Sequence, residues 1–405
     1  MSGVLSPRVI LVTSPHDAAR EMESIGVSPG GVRAMAGKSR TLVVKVAEVS
    51  VPAAHVLKQQ MLSLGGDAAV ARDVLVHGVD STDVLLLGTH VQMRELCSRL
   101  SAQPFDLPAL GESISALIDS VESNTRRVLR ARDHELAIGE RVHVMGVLNV
   151  TPDSFSDGGQ FLTSHDALTH AMAMVEDGAD MIDVGGQSSR PGSSPVSEED
   201  ELERAIPVIS RIADEWDGPI SIDTYRSEVA RRALDAGASI VNDITALTGD
   251  SELANAVAQS GAACVLMHMQ GTPAEMQEAP SYVDVMGEIA LFLQQAIDRA
   301  TDAGIGADRI AVDPGIGFGK TTEHNLTILK RLGELAVLDK PIVIGTSRKS
   351  FIGKILDLPV DQRLEGTLAT AALAVAQGAR ILRVHDVAPV VRATRMVEAC
   401  LSSGQ

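Results

Sequence analysis

The chain has 405 residues, 45% of them hydrophobic, enough to bury a barrel-sized core and a smaller second one. Its formal net charge of -18 opposes the counterion release that drives nucleic-acid binding, and no Lys/Arg cluster offsets it, which argues against a nucleic-acid partner. The widely separated cysteines, Cys97, Cys264 and Cys400, form no CxxC pair and suit a reducing, cytoplasmic setting.

The opening MSGVLSPRVILV carries a short apolar run broken by Arg8, which reads as a buried strand rather than a signal peptide. No apolar run approaches the ~20 residues needed to span a bilayer, so no membrane association is expected. Strand-like runs at Val9–Val12, Thr41–Val46 and Val84–Leu87 alternate with helical stretches near Asp17–Ile25, Ala53–Leu64 and Val91–Leu100. This predicts a small αβ domain over residues 1–130, with docking or dimer support as its default role. The charged segment Leu110–Glu140 reads as helical, and residues 131–141 as the connection to the next domain.

Over residues 142–402, β-branched runs alternate with amphipathic stretches, the pattern of repeated βα units. Eight strands are predicted: Val142–Leu148, Met181–Val184, Pro219–Ile222, Ser239–Val241, Ala263–Met267, Arg309–Val312, Pro341–Ile344 and Arg380–Val384. Helices are predicted between them, as at Glu199–Glu215, Val283–Gly304 and Leu364–Gly378. Each strand runs into a polar cluster: Asn149, Gly185–Gly186, Asp223, Asn242–Asp243, His268, Asp313, Thr346 to Lys349, and His385. An open doubly wound sheet would gather such groups at one switch point, whereas a (β/α)8 TIM barrel brings all eight to one rim. The expected fold is therefore that barrel, preceded by the smaller αβ domain.

Taken in order, the first loop, Asn149 to Gly159, presents an amide, two carboxylates and several hydroxyls after a buried strand. In the second, Arg190 stands among glycines and Pro191, a setting that suits an anion or a lid. Asp223, Asn242 and Asp313 follow apolar runs with no adjacent base, which fits a ligand rich in N–H donors. The segment Asp313 to Thr321 ends in GKT, but Pro314 stands where a phosphate-binding loop needs glycine, so it reads as a flexible glycine loop carrying Phe318 and Lys320. Arg383 and His385, before the last predicted helix, would make a diphosphate site.

The segments MGVLNVTPDSFSDGG, SIDT, VND, MHMQGTP, DPGIGFGK, SRKSFIG and RVHDV resemble dihydropteroate synthase in order and spacing, over about His143 to Glu398. The resemblance implies condensation of (7,8-dihydropterin-6-yl)methyl diphosphate with 4-aminobenzoate, giving 7,8-dihydropteroate and pyrophosphate. It implies that Asp223, Asn242, Asp313 and Lys349 bind the pterin, that Arg383 and His385 hold the diphosphate, and that Asn149 is a ligand of Mg2+. Ser189, Arg190, Pro191, Phe318, Lys349 and Ser350 would frame the aminobenzoate, and the enzyme would be a homodimer. Loop two reads GGQSSRPG where the family commonly has GGESTRPG, so Gln187 removes a charge and Ser189 keeps a hydroxyl. Two alternatives stand beside this reading. A pterin-dependent methyltransferase would share the barrel but have no diphosphate to clamp. A non-catalytic pterin-binding paralogue would act through its N-terminal domain.

Overall fold

The computed structural model describes residues 8–12, 14–76, 78–122, 127–150, 164–187, 196–272 and 275–402. It divides into two compact units, Met1–Asn124 and Thr125–Gln405. In the first, β1 (Thr41–Ser50), β2 (Asp67–Val70) and β3 (Ser81–Thr89) make an antiparallel sheet in the order β1-β3-β2. Along β3, Thr82, Val84 and Leu86 are buried while Ser81, Asp83 and Leu85 face out, the period of two that covers one sheet face. Helices Val51–Ser63, His90–Leu100 and Leu107–Glu122 cover that face through Leu57, Met61, Leu96, Leu100 and Ile118.

Two expectations fail in this part of the chain. Val9–Val12 is not a strand, and Val9 and Leu11 are 94% and 92% exposed. An apolar run becomes a strand only where a neighbour takes its backbone groups, and the described sheet ends at β1. Nor does a helix run on to residue 140. It stops at Glu122, and β4 (Arg127–Ala131) and β5 (His134–Ile138) form an antiparallel hairpin within the second unit, occupying most of the expected connection 131–141. The charged residues misled the reading. They alternate with Leu129, Ala131, Leu136 and Ile138, which are buried.

Eight parallel strands follow: β6 (His143–Asn149), β7 (Met181–Gly185), β8 (Ile220–Asp223), β9 (Ile240–Asp243), β10 (Ala263–Met267), β11 (Ile310–Asp313), β12 (Val343–Ile344) and β13 (Ile381–Val384). They pair in the order β11-β10-β9-β8-β7-β6-β13-β12, and a parallel bridge between Val312 and Ile342 closes the ring. This is the predicted barrel.

Alternation sorts each strand's residues into outside and inside. Cys264 and Leu266, Ile220 and Ile222, and Ile182 and Val184 pack outward beneath the helices. Inside, Met145, Met181, Ile240, Ala263, Val265, Ala311, Val343 and Ile381 form one apolar layer with the hairpin's Leu129, Ala131, Leu136 and Ile138. The hairpin is the barrel's floor. Two residues further along the strands, on the same inward side, Met181 gives way to Asp183, Ile240 to Asn242, Ala311 to Asp313 and Ile381 to Arg383. Packing below and chemistry above therefore share the same strands.

Candidate active site

The polar layer is organised around Arg383 on β13. Its Nε donates to Asp183 Oδ2 at 2.6 Å and its Nη2 to Asp223 Oδ2 at 2.7 Å. Asn242 Nδ2 also donates to Asp183 Oδ2, at 3.3 Å. A guanidinium is suited to this role because its fork reaches two carboxylates from a fixed plane. Burial pushes the Asp223 carboxyl up to about 7; Arg383 pulls it down, and the charges of Asp183, Glu201 and Asp243 push it further up. Asp183 is fully buried, and its Oδ1 has no hydrogen-bond partner among the described residues. Sequence reading missed Asp183. The available signal was a lone acid inside the buried run MIDVG, on the inward parity set by Met181.

Asp243, next to Asn242, serves the fold instead. Its Oδ1 accepts from Thr245 N and Oγ1, both at 2.7 Å, and its Oδ2 from Leu247 N at 2.5 Å, capping the turn that follows β9.

Asp313, at the end of β11, accepts from Gly315 N at 2.7 Å. Burial raises its carboxyl's pKa, while Lys349, that backbone bond, Arg383 and Lys320 lower it. Burial pulls Lys349 down to about 8, against the attraction of Asp313. The Lys349 ammonium lies 4.5 Å from the centre of the Phe318 ring, a cation–π placement, and donates to Ile316 O.

The glycine loop of residues 315–319 differs from expectation. Rather than a flexible arm carrying Lys320 over the site, it is tied down, with Lys320 buried beneath it. Lys320 Nζ lies 2.9 Å from His268 Nδ1, 2.9 Å from Phe318 O and 3.4 Å from His268 O. Three acceptors match the three N–H bonds of an ammonium, which favours the charged form although burial draws Lys320 down to about 7. His268 must then accept at Nδ1, consistent with burial and Lys320 lowering it to about 3. Gly315 shows why side chains are excluded here: its φ is +69° and a Cβ would meet His268 O at 1.9 Å.

The loops after β12 and β13 interlock. His385 N donates to Ser347 Oγ at 3.1 Å, and the His385 Nδ1 lies 3.0 Å from the same hydroxyl. Arg348 pairs through both nitrogens with Asp386, at 2.9 and 2.5 Å. Asn149 ends β6 beside Gly185, where a Cβ would stand 3.5 Å from Asn149 Oδ1 and 3.9 Å from Asp223 Oδ2. Glycine thus leaves a gap flanked by an amide oxygen and a carboxylate oxygen. Ser350 begins the helix Ser350–Leu356 and is exposed. Ser189, Arg190 and Pro191 lie outside the described residues.

A closed eight-stranded barrel with its charged groups gathered at the strands' C-terminal ends defines a barrel enzyme whose site is a largely buried polar layer. The family model described as "Pterin binding enzyme" matches residues 145–385. A dihydropteroate synthase from Synechocystis is 50% identical over 262 residues, which are 64% of this chain and 91% of that protein. A solved dihydropteroate synthase from Yersinia pestis, described in complex with a sulfonamide drug, superposes with a TM-score of 0.66 at 44% identity, over 68% of this chain and all of that one. A probable bifunctional folylpolyglutamate synthase/dihydropteroate synthase from Halobacterium salinarum is 40% identical over 388 residues. That match takes in 96% of this chain, so it reaches into the first unit, and 46% of the relative.

The chain belongs to the pterin-binding enzyme family, and within it to the dihydropteroate synthases. It is a transferase of folate biosynthesis, joining (7,8-dihydropterin-6-yl)methyl diphosphate to 4-aminobenzoate with release of pyrophosphate.

Proposed function

We propose that the reaction runs on the inward polar layer, with the pterin held by Asp223, Asn242, Asp313 and Lys349 and the diphosphate by Arg383 and His385. The observation that carries this reading is the fixed orientation of Arg383 between the buried Asp183 carboxylate and the partly buried Asp223 carboxylate. Ionised carboxylates at Asp313 and Asp223 are acceptors for an amino-pyrimidine edge, and Asn242 offers both an acceptor and donors. Lys349, Phe318 and Ser350, together with Ser189, Arg190 and Pro191 of the second loop, frame the aminobenzoate.

The diphosphate departs from a carbon attached to an electron-rich pterin, so bond breaking runs ahead of attack by the weak aniline nitrogen. The cost falls on leaving-group charge, and prepositioned cations meet it without reorganising. Arg383 supplies that charge and His385 a hydrogen-bonding group, and a strong general base is unnecessary. The amide oxygen of Asn149, at the end of β6, is the kind of hard donor that Mg2+ takes, so Asn149 would hold the ion. Bound there, the ion would add further neutralisation of the leaving group.

The reading extends to a cytoplasmic homodimer with catalysis confined to the barrel and the first unit serving docking or dimer support. Cysteine usage favours the compartment, and the family resemblance favours the dimer. Among the described residues, no helix is long and apolar enough to cross a membrane.

Incubation with Mg2+, the pterin diphosphate and 4-aminobenzoate is expected to release pyrophosphate, and a sulfonamide to inhibit competitively against 4-aminobenzoate. A noncompetitive pattern would displace the pocket assigned to Phe318 and Ser189. The pH dependence tests Asp223. With its carboxyl near 7, the acceptor form is lost as pH falls below that value. Affinity for 6-hydroxymethyl-7,8-dihydropterin, which has no ionising phosphate, should therefore rise between pH 6 and 8 and then level off, on the order of tenfold per unit at the acid end. A flat profile, or the same profile in Asp223→Asn, removes Asp223 from the pterin pocket.

A further inference from the structure

The carbonyls of Ile316, Gly317, Phe318 and Gly319 each receive a donor from a different side chain. Lys349 donates to Ile316 O and Lys320 to Phe318 O at 2.9 Å. Gln277 Nε2 donates to Gly317 O at 2.7 Å, and the Tyr282 hydroxyl to Gly319 O at 2.8 Å. The two lysines have roles of their own in the polar layer. Gln277 and Tyr282 do not, and both come from one stretch after β10.

That stretch is itself anchored. The Gln270 amide donates to Ser281 O at 2.9 Å and accepts from Ser281 N at 3.1 Å, and Met276 is buried. The Tyr282 ring meets His324 edge-on at 5.0 Å and His268 at 6.0 Å. Gly319 sits so close to Gln270 that a Cβ there would come within 2.5 Å of Gln270 O. Left alone, a segment with three positive-φ glycines, Gly315, Gly317 and Gly319, has a large conformational entropy to lose. Here the ordering is done by the chain's own side chains.

We infer that Gln277 and Tyr282 are positioning residues for the aminobenzoate half of the reaction, strapping down the Ile316–Gly319 platform so that the Phe318 ring is held beside Lys349. This rests on the placement of the aminobenzoate at Phe318 given above. A platform ordered in advance lowers the cost of binding a small flat ligand, which has few atoms with which to offset that cost. The strap therefore acts on aminobenzoate KM. The pterin pocket, built from strand ends, does not depend on it.

The test is steady-state kinetics on Gln277→Ala, Tyr282→Phe, the double variant and Phe318→Leu, with melting temperature followed in parallel. The double variant should raise KM for 4-aminobenzoate about 30-fold, since two lost hydrogen bonds at about 1 kcal/mol each sum to about 2 kcal/mol and 1.4 kcal/mol is tenfold. Its kcat and pterin-diphosphate KM should stay within about twofold, and its melting temperature should fall by no more than several degrees. Gln277→Glu, which keeps the size but has no N–H to give, should match Gln277→Ala. If Phe318→Leu raises aminobenzoate KM and the double variant does not, the strap is overturned while the pocket stands. If Phe318→Leu leaves that KM unchanged, the pocket assignment falls and the strap with it. A double variant whose kcat and both KM values worsen together with its melting temperature has lost only general structure, which also overturns the inference.

Discussion

Replacing Arg383 by Met is expected to abolish turnover and destabilise the barrel together. The guanidinium donates to Asp183 and Asp223, so its removal leaves two carboxylates in the barrel interior with no cation bridging them. Breaking a buried pair in this way costs about 3–5 kcal/mol. The loss of prepositioned charge at the leaving group should remove at least about 10²–10³ in kcat. Arg383→Lys is no rescue, because one ammonium lacks the fork that spans both acids. The two effects separate in Asp183→Asn/Arg383→Met. Neutralising one stranded acid should recover part of the melting temperature and none of the turnover. A double variant as unstable as Arg383→Met alone would mean that the bridge to Asp183 does not set the cost.

Lys349 and Lys320 should fail in different ways when each becomes Ala. Lys349→Ala removes an ammonium held against Phe318 and attracted by Asp313, and should lower kcat/KM by about 10²–10³ with a smaller loss of melting temperature than Lys320→Ala, since it strands the Ile316 carbonyl alone. Lys320→Ala strands His268 Nδ1 and Phe318 O, both held at 2.9 Å, and releases the loop above them. Buried groups left without partners cost about 1–3 kcal/mol each, so the loss should appear first as stability. Kinetics corrected for the folded fraction, set beside thermal melts, check this. Equal corrected kcat/KM for the two variants would refute the separation.

The barrel was legible because each strand carried its own signal: a short apolar run, then a polar residue or a glycine, eight times over. Asp223, Asn242, Asp313 and Arg383 were legible for the same reason, standing at or next to strand ends. Asp183 was not, since it lies within a strand and only the inside–outside parity of Met181 reveals it. Lys320 was misread because a glycine-rich stretch was equated with mobility. The structure shows that positive-φ glycines can serve close approach, and that four carbonyls in a row can be fixed by side chains from elsewhere in the sequence. Gln277 and Tyr282 were invisible for that reason: their partners are 40 and 37 residues away. The hairpin was hidden by composition, because charges on alternate positions resemble an exposed helix until Leu129, Ala131, Leu136 and Ile138 are read as every second residue.

That hairpin bears on how the chain should be parsed into inherited pieces. The family match begins at residue 145, inside β6, whereas the barrel's interior is sealed by residues from 129 onward. A boundary drawn where the family match starts would uncover Met145, Met181, Ile240 and Ile381 to water and leave a bottomless cylinder. The smallest unit with a closed interior therefore begins before the motifs do, at the first strand of the hairpin.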